Sequence, residues 1–163
     1  MAVIRTALPA DLPALTAIYN HYIVHTPITF DVTTYEPEQR RGWFDDHGQD
    51  GRHRLLVAEE NGVVAGYAST SRWRPKPAYD TTVESSVYVR ADAIGRGIGR
   101  ELYTALFDAM AKEDVHTIVA GVALPNAASI ALHERFGFQQ VGVFREVGRK
   151  FGSYWDVAWF QRG

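Results

Sequence analysis

Between Glu84 and Arg100 the chain reads Glu-Ser-Ser-Val-Tyr-Val-Arg-Ala-Asp-Ala-Ile-Gly-Arg-Gly-Ile-Gly-Arg. A strand-like run, Ser85–Val89, stops at a polar break. Glycines then alternate at Gly95, Gly97 and Gly99, and a helical pattern begins at once with Ile98, Leu102, Ala105, Leu106 and Met110. Strand, glycine loop and helix N-terminus in that order form a cradle for an anion. Glycine lets backbone N–H groups approach a ligand without an intervening Cβ, and the helix end adds a partial positive charge. A pyrophosphate suits such a cradle. The alternative is a tight turn that binds nothing. A dinucleotide fingerprint is excluded because the position that should hold its third glycine, counted from Gly95, is Arg100. A P-loop is excluded because no Gly-Lys-Ser/Thr ending follows.

The elements that must position this loop follow from periodicity and punctuation. Ala2–Leu8 is expected as a strand. A helix after Pro9-Ala10-Asp11 carries Leu12, Leu15, Ile18 and Tyr22 on one stripe and ends before Pro27. A short helix starts near Glu36-Pro37 and carries Trp43 and Phe44. Arg54–Glu59 and Val63–Ser71 read as strands joined by Asn61-Gly62, a strong hairpin signal. Trp73–Asp80, with Pro75 and Pro77, reads as a loop. A central strand near Thr82–Val89, a helix over Gly97–Glu113, a strand over Thr117–Val122, a helix over Ala127–Phe136, and strands over Gln139–Phe144 and Tyr154–Phe160 complete the chain. This order predicts one α+β domain over residues 1–163, with a twisted, mostly antiparallel sheet and helices on both faces.

Composition narrows the classes. At 163 residues the chain can bury its own core, and its apolar content of 46% is ordinary for a globular protein. A net charge of −2 gives no general attraction to nucleic acid or acidic membranes. Zero cysteines exclude disulfides, thiolate metal sites and a cysteine nucleophile. The histidines His21, His25, His47, His53 and His116 have no metal-ligand spacing. No apolar run approaches the ~20 residues of a membrane span, and Met1-Ala2-Val3-Ile4-Arg5 shows no signal peptide. A cytoplasmic protein is expected.

A second segment bears on the cradle. Leu124-Pro125-Asn126-Ala127-Ala128-Ser129-Ile130-Ala131-Leu132-His133-Glu134-Arg135-Phe136-Gly137-Phe138 follows a predicted strand. With it, the chain resembles the GNAT superfamily of acetyl-CoA-dependent N-acetyltransferases. That family's Arg/Gln-x-x-Gly-x-Gly/Ala motif falls on Ile94–Gly99, and its Asn-x-x-Ser-x-x-Leu-Tyr-x-x-x-Gly-Phe motif on Asn126–Phe138. Asn20-His21-Tyr22, Ala78-Tyr79-Asp80, Glu84-Ser85-x-Val87-Tyr88-Val89, Leu132-His133-Glu134 and Trp155-Asp156-Val157 are similar to the phosphinothricin and methionine sulfoximine acetyltransferase branch. Two positions depart from the pattern: Ile94 stands where Arg or Gln is usual, and His133 where tyrosine is usual. The resemblance implies that the fourth and fifth strands splay apart. It implies acetyl-CoA as cosubstrate, no metal, a small-molecule amine as acceptor and a homodimer. A protein or peptide N-terminal acetyltransferase, or a catalytically silent acyl-CoA-binding module, would share the fold.

The implied reaction is direct attack of an amine on the thioester carbonyl. Something must take a proton from the amine, and the departing sulfur needs a donor. Holding the two reactants together supplies much of the rate. Glu84 is the expected general base, or a charge that complements the amine; otherwise it is a solvated strand carboxylate. His133 is the expected second catalytic residue or a CoA contact; otherwise it is a helix-surface histidine. Gly95, Arg96, Gly97, Ile98, Gly99 and Arg100 should hold the pyrophosphate, and the backbone of Val87, Tyr88 and Val89 should pair with pantetheine like an added strand. Asn126 is a pantetheine contact, a helix cap or both. Ser129 is a phosphate contact or an ordinary first-turn hydroxyl. Expected substrate contacts are Arg74, Pro75, Lys76 and Tyr79 in the loop, with Glu84, Ser85 and Ser86; otherwise the loop charges of Arg74 and Lys76 are solvated and the Tyr79 ring packs in the core. Phe30, Tyr154 and Trp155 read as core or dimer-contact aromatics.

Overall fold

The computed structural model describes residues 2–163. Strands β1 (Val3–Thr6), β2 (Leu55–Glu60), β3 (Val63–Arg72), β4 (Thr82–Val89), β5 (Thr117–Ala123), β6 (Gln139–Lys150) and β7 (Ser153–Arg162) form one sheet in the order β1-β2-β3-β4-β5-β7-β6. Among them, only β4 and β5 pair in parallel. Helices α1 (Leu12–His25) and α2 (Arg41–Asp45) lie on one face, and α3 (Ile98–Met110) and α4 (Ala127–Arg135) on the other.

Each face owes its core to period-two alternation in the strands. Leu55, Val57 and Tyr67 turn toward α1, where Leu15, Ile18 and Tyr22 are buried. Leu56, Ala58 and Ala68 turn the other way, onto the Ile98, Leu102, Leu106 and Met110 stripe of α3. The Asn61-Gly62 hairpin forms as its sequence requires, with both residues at positive φ (53° and 79°).

The largest departure from the sequence reading is at the C-terminal hairpin. Strand β6 runs to Lys150 instead of ending at Phe144, and β7 starts at Ser153. The turn is Phe151-Gly152, again both at positive φ (54° and 71°). A phenylalanine at a left-handed position gives little sequence warning of such a turn. The pairing also slips between Gln140 and Gly142 and between Phe144 and Gly148, which breaks the alternation that would have revealed the longer strand. Elsewhere the edges move by a few residues: β1 is Val3–Thr6, and α3 starts after Gly97 and stops at Met110.

Strand β4 is the element that matters for the site. Its pairing with β3 continues as far as Val89↔Gly66, whereas its pairing with β5 ends after Thr82↔Thr117, Val83↔Ile118 and Glu84↔Val119. From Ser85 onward β4 and β5 diverge, and β5 continues alongside β7 instead. The far end of β4 is pinned from α1 by the Tyr22 hydroxyl, which donates to the Val89 carbonyl. Tyr22→Phe removes the donor from a half-buried carbonyl, which should cost about 0.5–1.5 kcal/mol. Urea unfolding should show that loss with an unchanged denaturant slope. Wild-type stability would mean the pin carries no load.

Candidate active site

Alternation along β4 sorts its residues to opposite faces. Val83 and Ser85 are buried toward α3, and Val87 and Val89 pack against the same cluster. Glu84, Ser86 and Tyr88 face the α1 side, where the Tyr88 ring lies against Tyr19, Tyr22 and Tyr67. Glu84 is the last residue of β4 paired with β5, so its carboxyl stands at the apex of the splay. Burial pushes that carboxyl above the ordinary range, and the Arg74 guanidinium partly offsets the shift.

The gap beyond the apex holds a narrow cavity of about 60 Å³. Ser85, Tyr103, Asn126, Ser129 and His133 line it on the α3–α4 side, with Ser86 and Tyr88 at the other rim. His133 is not a surface residue: it is only 3% exposed. Its Nδ1–H donates to the Ser129 carbonyl one helical turn earlier, at 2.7 Å. This bond to a carbonyl fixes the tautomer and leaves Nε2 as an acceptor facing the Tyr103 hydroxyl at 3.3 Å. Burial lowers the imidazole's proton affinity, so it stays neutral at neutral pH. The Tyr103 hydroxyl also lies 3.4 Å from Ser85 Oγ, and burial holds it firmly protonated. The result is an uncharged chain of hydrogen-bonding groups from Ser85 to Ser129. Tyr103 escaped the sequence reading because it sits on the apolar side of α3 and looks like core. Its hydroxyl was the signal, since a buried tyrosine needs a polar partner.

Where β4 ends, Gly95 and Gly97 both adopt left-handed backbone (φ 88° and 79°), and α3 starts at Ile98 with no side chain capping it. The first-turn N–H groups are therefore free to meet an anion. Gly99 has ordinary backbone, and a Cβ there would meet Leu132, Val87 and Val89 at 3.7–3.9 Å, an unstrained contact. Ile94 points outward at 63% exposure. Arg96 is paired with Glu60 at 3.2 Å, while Arg100 is exposed at the helix start. Asn126 caps α4, its Oδ1 accepting from the Ser129 N–H at 3.1 Å, and it lines the gap as well. The helix cap and a wall of the gap thus fall on the same side chain.

On the opposite face lies a cavity of about 300 Å³ bounded by Arg40, Tyr67, Asp31, Tyr35, Ser86 and Tyr88, among others. It shares Ser86 and Tyr88 with the gap, so the two spaces meet through the sheet. A larger cavity of about 390 Å³, bounded by Trp43, His47, His53 and Ser71, adjoins it but touches no residue of β4. Asp31 accepts from the Tyr19 hydroxyl and from the Tyr35 hydroxyl. The segment carrying Asp31 is tied down by Lys150, whose Nζ donates to the Thr26 and Thr29 carbonyls at 2.8 Å each. Phe30 of that segment packs on Gly148, where a Cβ would come within 2.2 Å of its ring.

The expected substrate residues therefore divide. Glu84, Ser85 and Ser86 come together at the splay. Pro75, Lys76 and Tyr79 are exposed and bound neither of the two cavities that meet at β4. Arg74 stacks over Trp73 at 4.7 Å and reaches the site only through its field on Glu84. Tyr154 is exposed, and Trp155 donates to the Lys150 carbonyl. Arg40, Tyr67 and Asp31 were not singled out from sequence. They come from segments that carry no recognisable motif and reach the site only through packing of α1, the 37–45 region and β3. Among the described residues no cluster of three or more His, Cys, Asp or Glu could hold a metal ion.

Residues 4–159 match the model of the acetyltransferase (GNAT) domain. A phosphinothricin N-acetyltransferase of Streptomyces coelicolor is 55% identical, over 98% of this chain and 94% of that protein. An L-methionine sulfoximine/L-methionine sulfone acetyltransferase of Pseudomonas aeruginosa is 41% identical, over 98% and 93%. Among solved structures, a ribosomal-protein-alanine N-acetyltransferase from Brucella melitensis superposes with a TM-score of 0.94 at 42% identity, covering 98% of each chain. A phosphinothricin acetyltransferase from Sinorhizobium meliloti in complex with acetyl-CoA superposes with a TM-score of 0.94 at 32% identity, covering 99% of this chain and 87% of that one. The parallel strands that part after Glu84, the uncapped glycine-led helix beside them and these likenesses across nearly the whole chain agree: the protein belongs to the GNAT acetyltransferase family.

Proposed function

We propose that this protein transfers the acetyl group of acetyl-CoA directly to the α-amino group of a small amino-acid-like substrate such as L-phosphinothricin or L-methionine sulfoximine. The observation that carries this reading is the meeting of two spaces at Ser86 and Tyr88, one on each side of the sheet, with Glu84 at the apex between them. The 60 Å³ gap is wide enough only for a thin arm, which suits pantetheine laid along Val87–Val89. The glycine loop from Gly95 to Arg100 and the start of α3 hold the pyrophosphate end. The 300 Å³ space is at the small end of ligand sites and suits an amino acid better than a protein terminus. Retention of His133 and Asn126 at the gap, with Glu84 at the last β4–β5 pair, disfavours a silent acyl-CoA-binding module.

In this arrangement Glu84 takes a proton from the substrate ammonium, directly or through a water, and frees the nitrogen lone pair. The C–N bond forms as the C–S bond breaks, the electrons of that bond leave with sulfur, and the second proton shed by the nitrogen as it becomes an amide goes to that sulfur, giving free CoA thiol. A thiol of pKa ~8.5 is a fair leaving group that needs stabilisation more than full protonation. Tyr103, too weak an acid to give up its proton, serves as a hydrogen-bond donor to the sulfur. Neutral His133 holds the phenol in place and accepts from it between turnovers. No side chain is acylated.

Two further features belong to this reading. Val141, Val143, Phe144, Val147 and Phe151 are exposed on or beside β6, the last strand of the sheet. A second copy of this chain is the occupant we assign to that apolar edge, since an uncovered edge of this kind invites aggregation. Sedimentation equilibrium should give twice the chain mass, and Phe144→Arg should shift it toward the monomer. A monomeric wild type would contradict the assignment. No described helix is long and apolar enough to cross a membrane. We place the reaction in the cytoplasm, with no nucleic acid or membrane partner.

Glu84→Gln should lower kcat by roughly 10²–10⁴-fold, the usual worth of a general base, and leave acetyl-CoA affinity unchanged. In the wild type the rate should climb with pH as the raised Glu84 carboxyl ionises, because only the carboxylate is a base, and that limb should vanish in the variant. A Gln variant with wild-type kcat across the pH range would remove Glu84 from the chemistry.

Ile94 offers a complementary test of the phosphate end. Its exposed side chain leaves room for the arginine that the motif usually has there. Ile94→Arg should tighten acetyl-CoA binding by about tenfold or less, with kcat nearly unchanged. The gain should shrink as salt rises, since exposed charges are screened. Calorimetric titration at low and high salt measures both. Weaker binding on adding arginine would put the phosphates elsewhere.

A further inference from the structure

The strongest unassigned feature is a buried guanidinium that no described carboxylate pairs, with the Tyr67 hydroxyl as its polar neighbour. Arg40 closes the turn Pro37–Arg40 and is only 7% exposed. Its Cζ lies 3.8 Å from the Trp43 ring centroid and 4.3 Å from that of Tyr19, so aromatic faces cover the flat sides of the group. Its edge is a different matter. Arg40 Nη1 and the hydroxyl of neighbouring Tyr67 are buried with no well-aligned hydrogen bond, and each is the other's polar neighbour. No carboxylate forms an ion pair with Arg40 among the described residues. Asp31 bounds the same cavity, but its oxygens are taken by Tyr19 and Tyr35. Burial pushes the Tyr67 hydroxyl up to about 12, so it remains a donor at neutral pH.

A buried charge and a buried hydroxyl without well-aligned partners are both costly. Two donors side by side at one cavity wall match the two oxygens of a carboxylate, which a guanidinium edge binds strongly. The substrates named for the relatives narrow the choice of anion. Phosphinothricin has an anionic head, whereas methionine sulfoximine and methionine sulfone have neutral ones. The one anion common to all of them is the α-carboxylate. The register agrees with this. Tyr67 pairs with Tyr88, Ser69 with Ser86 and Ser71 with Glu84, so the three pairs form a row along one face. A carboxylate held at the Tyr67 end leaves the α-amine on the Ser86 side, one two-residue step from Glu84.

We propose that Arg40, together with the Tyr67 hydroxyl, is the receptor for the α-carboxylate of the amino-acid substrate. The proposal rests on the acetyltransferase reading above and deepens it. It gives the role of anion receptor to a buried residue instead of the exposed Arg74 and Lys76.

The test compares L-methionine sulfone with its carboxamide, which keeps the amine and the head but lacks the carboxylate charge. The wild type should prefer the acid in kcat/KM. Arg40→Met should lose roughly 10- to 100-fold on the acid, through KM, the worth of a hydrogen bond to a charged group. It should lose little on the carboxamide and keep its acetyl-CoA KM, so the preference collapses. Arg74→Met should retain the preference. A purely packing role for Arg40 would lower both substrates alike and leave the preference intact, which would overturn the proposal, as would its collapse in Arg74→Met alone. Should Arg40→Met fail to fold, Tyr67→Phe decides: removal of that one oxygen must weaken the acid several-fold relative to the carboxamide, and an unchanged ratio overturns the proposal. If the wild type acetylates neither compound, the acetyltransferase reading fails on its own. Calorimetric titration of methionine sulfone then tests the receptor separately: binding that is lost in Arg40→Met supports it, and no binding to the wild type overturns it.

Discussion

The site depends on a pairing that stops. Strands β4 and β5 share three residue pairs and then separate, because β5 turns to accompany β7 while β4 stays with β3. An open stretch of strand normally invites another strand. Here it lies inside the sheet, reachable only by something as slender as an extended chain. The break also lets side chains from opposite faces reach one point. In a continuous sheet Ser85 and Ser86 would belong to separate compartments. At the splay Ser86 and Tyr88 border both.

The two compartments differ in electrostatics as the proposed chemistry requires. On the α3–α4 side the polar groups are neutral: Ser85, Tyr103, His133 and Ser129 form a chain in which burial keeps the phenol protonated and the imidazole uncharged. Such a chain can stabilise a departing sulfur anion without trapping it as a fixed ion pair. On the α1 side stand charged groups, Glu84, Arg40 and Asp31, suited to a zwitterion with an ammonium and a carboxylate. The glycine-led start of α3 offers the proposed pyrophosphate site uncapped backbone donors, which do not depend on the exposed side chain of Ile94. Fixing these parts falls to modest contacts: Tyr22 on Val89, Lys150 on Thr26 and Thr29, and Asn126 on Ser129.

Much of this was legible in the residues, and what was missed has physical reasons. Local chemistry read well. The Asn61-Gly62 hairpin, the stripe of α1, the glycine loop before α3 and the cap at Asn126 all follow from short-range rules, and they appear where those rules put them. The splay came only from the family resemblance, because a strand that stops pairing has the same composition as one that continues. The Phe151-Gly152 turn broke the usual turn chemistry, and the bulges in β6 broke its period. His133 was read as either catalytic or superficial, and it is buried because α4 presses that face against Phe138 and Phe160. Arg40 and Tyr67 were invisible for a deeper reason. Neither stands in a motif, and their relation is an absence of well-aligned partners that only three dimensions reveal.

The central claim is that thioester and amine approach from opposite faces and meet at the β4–β5 gap. A crystal structure with an unreactive thioether analogue of acetyl-CoA and L-methionine sulfone bound together measures this most directly. The account predicts the acyl carbon in the gap beside Ser86 and Tyr88, the nucleotide end at Gly95–Arg100, and the amine within reach of Glu84 directly or through one water. Both ligands on one face of the sheet, or an amine separated from Glu84 by more than one water, would contradict it.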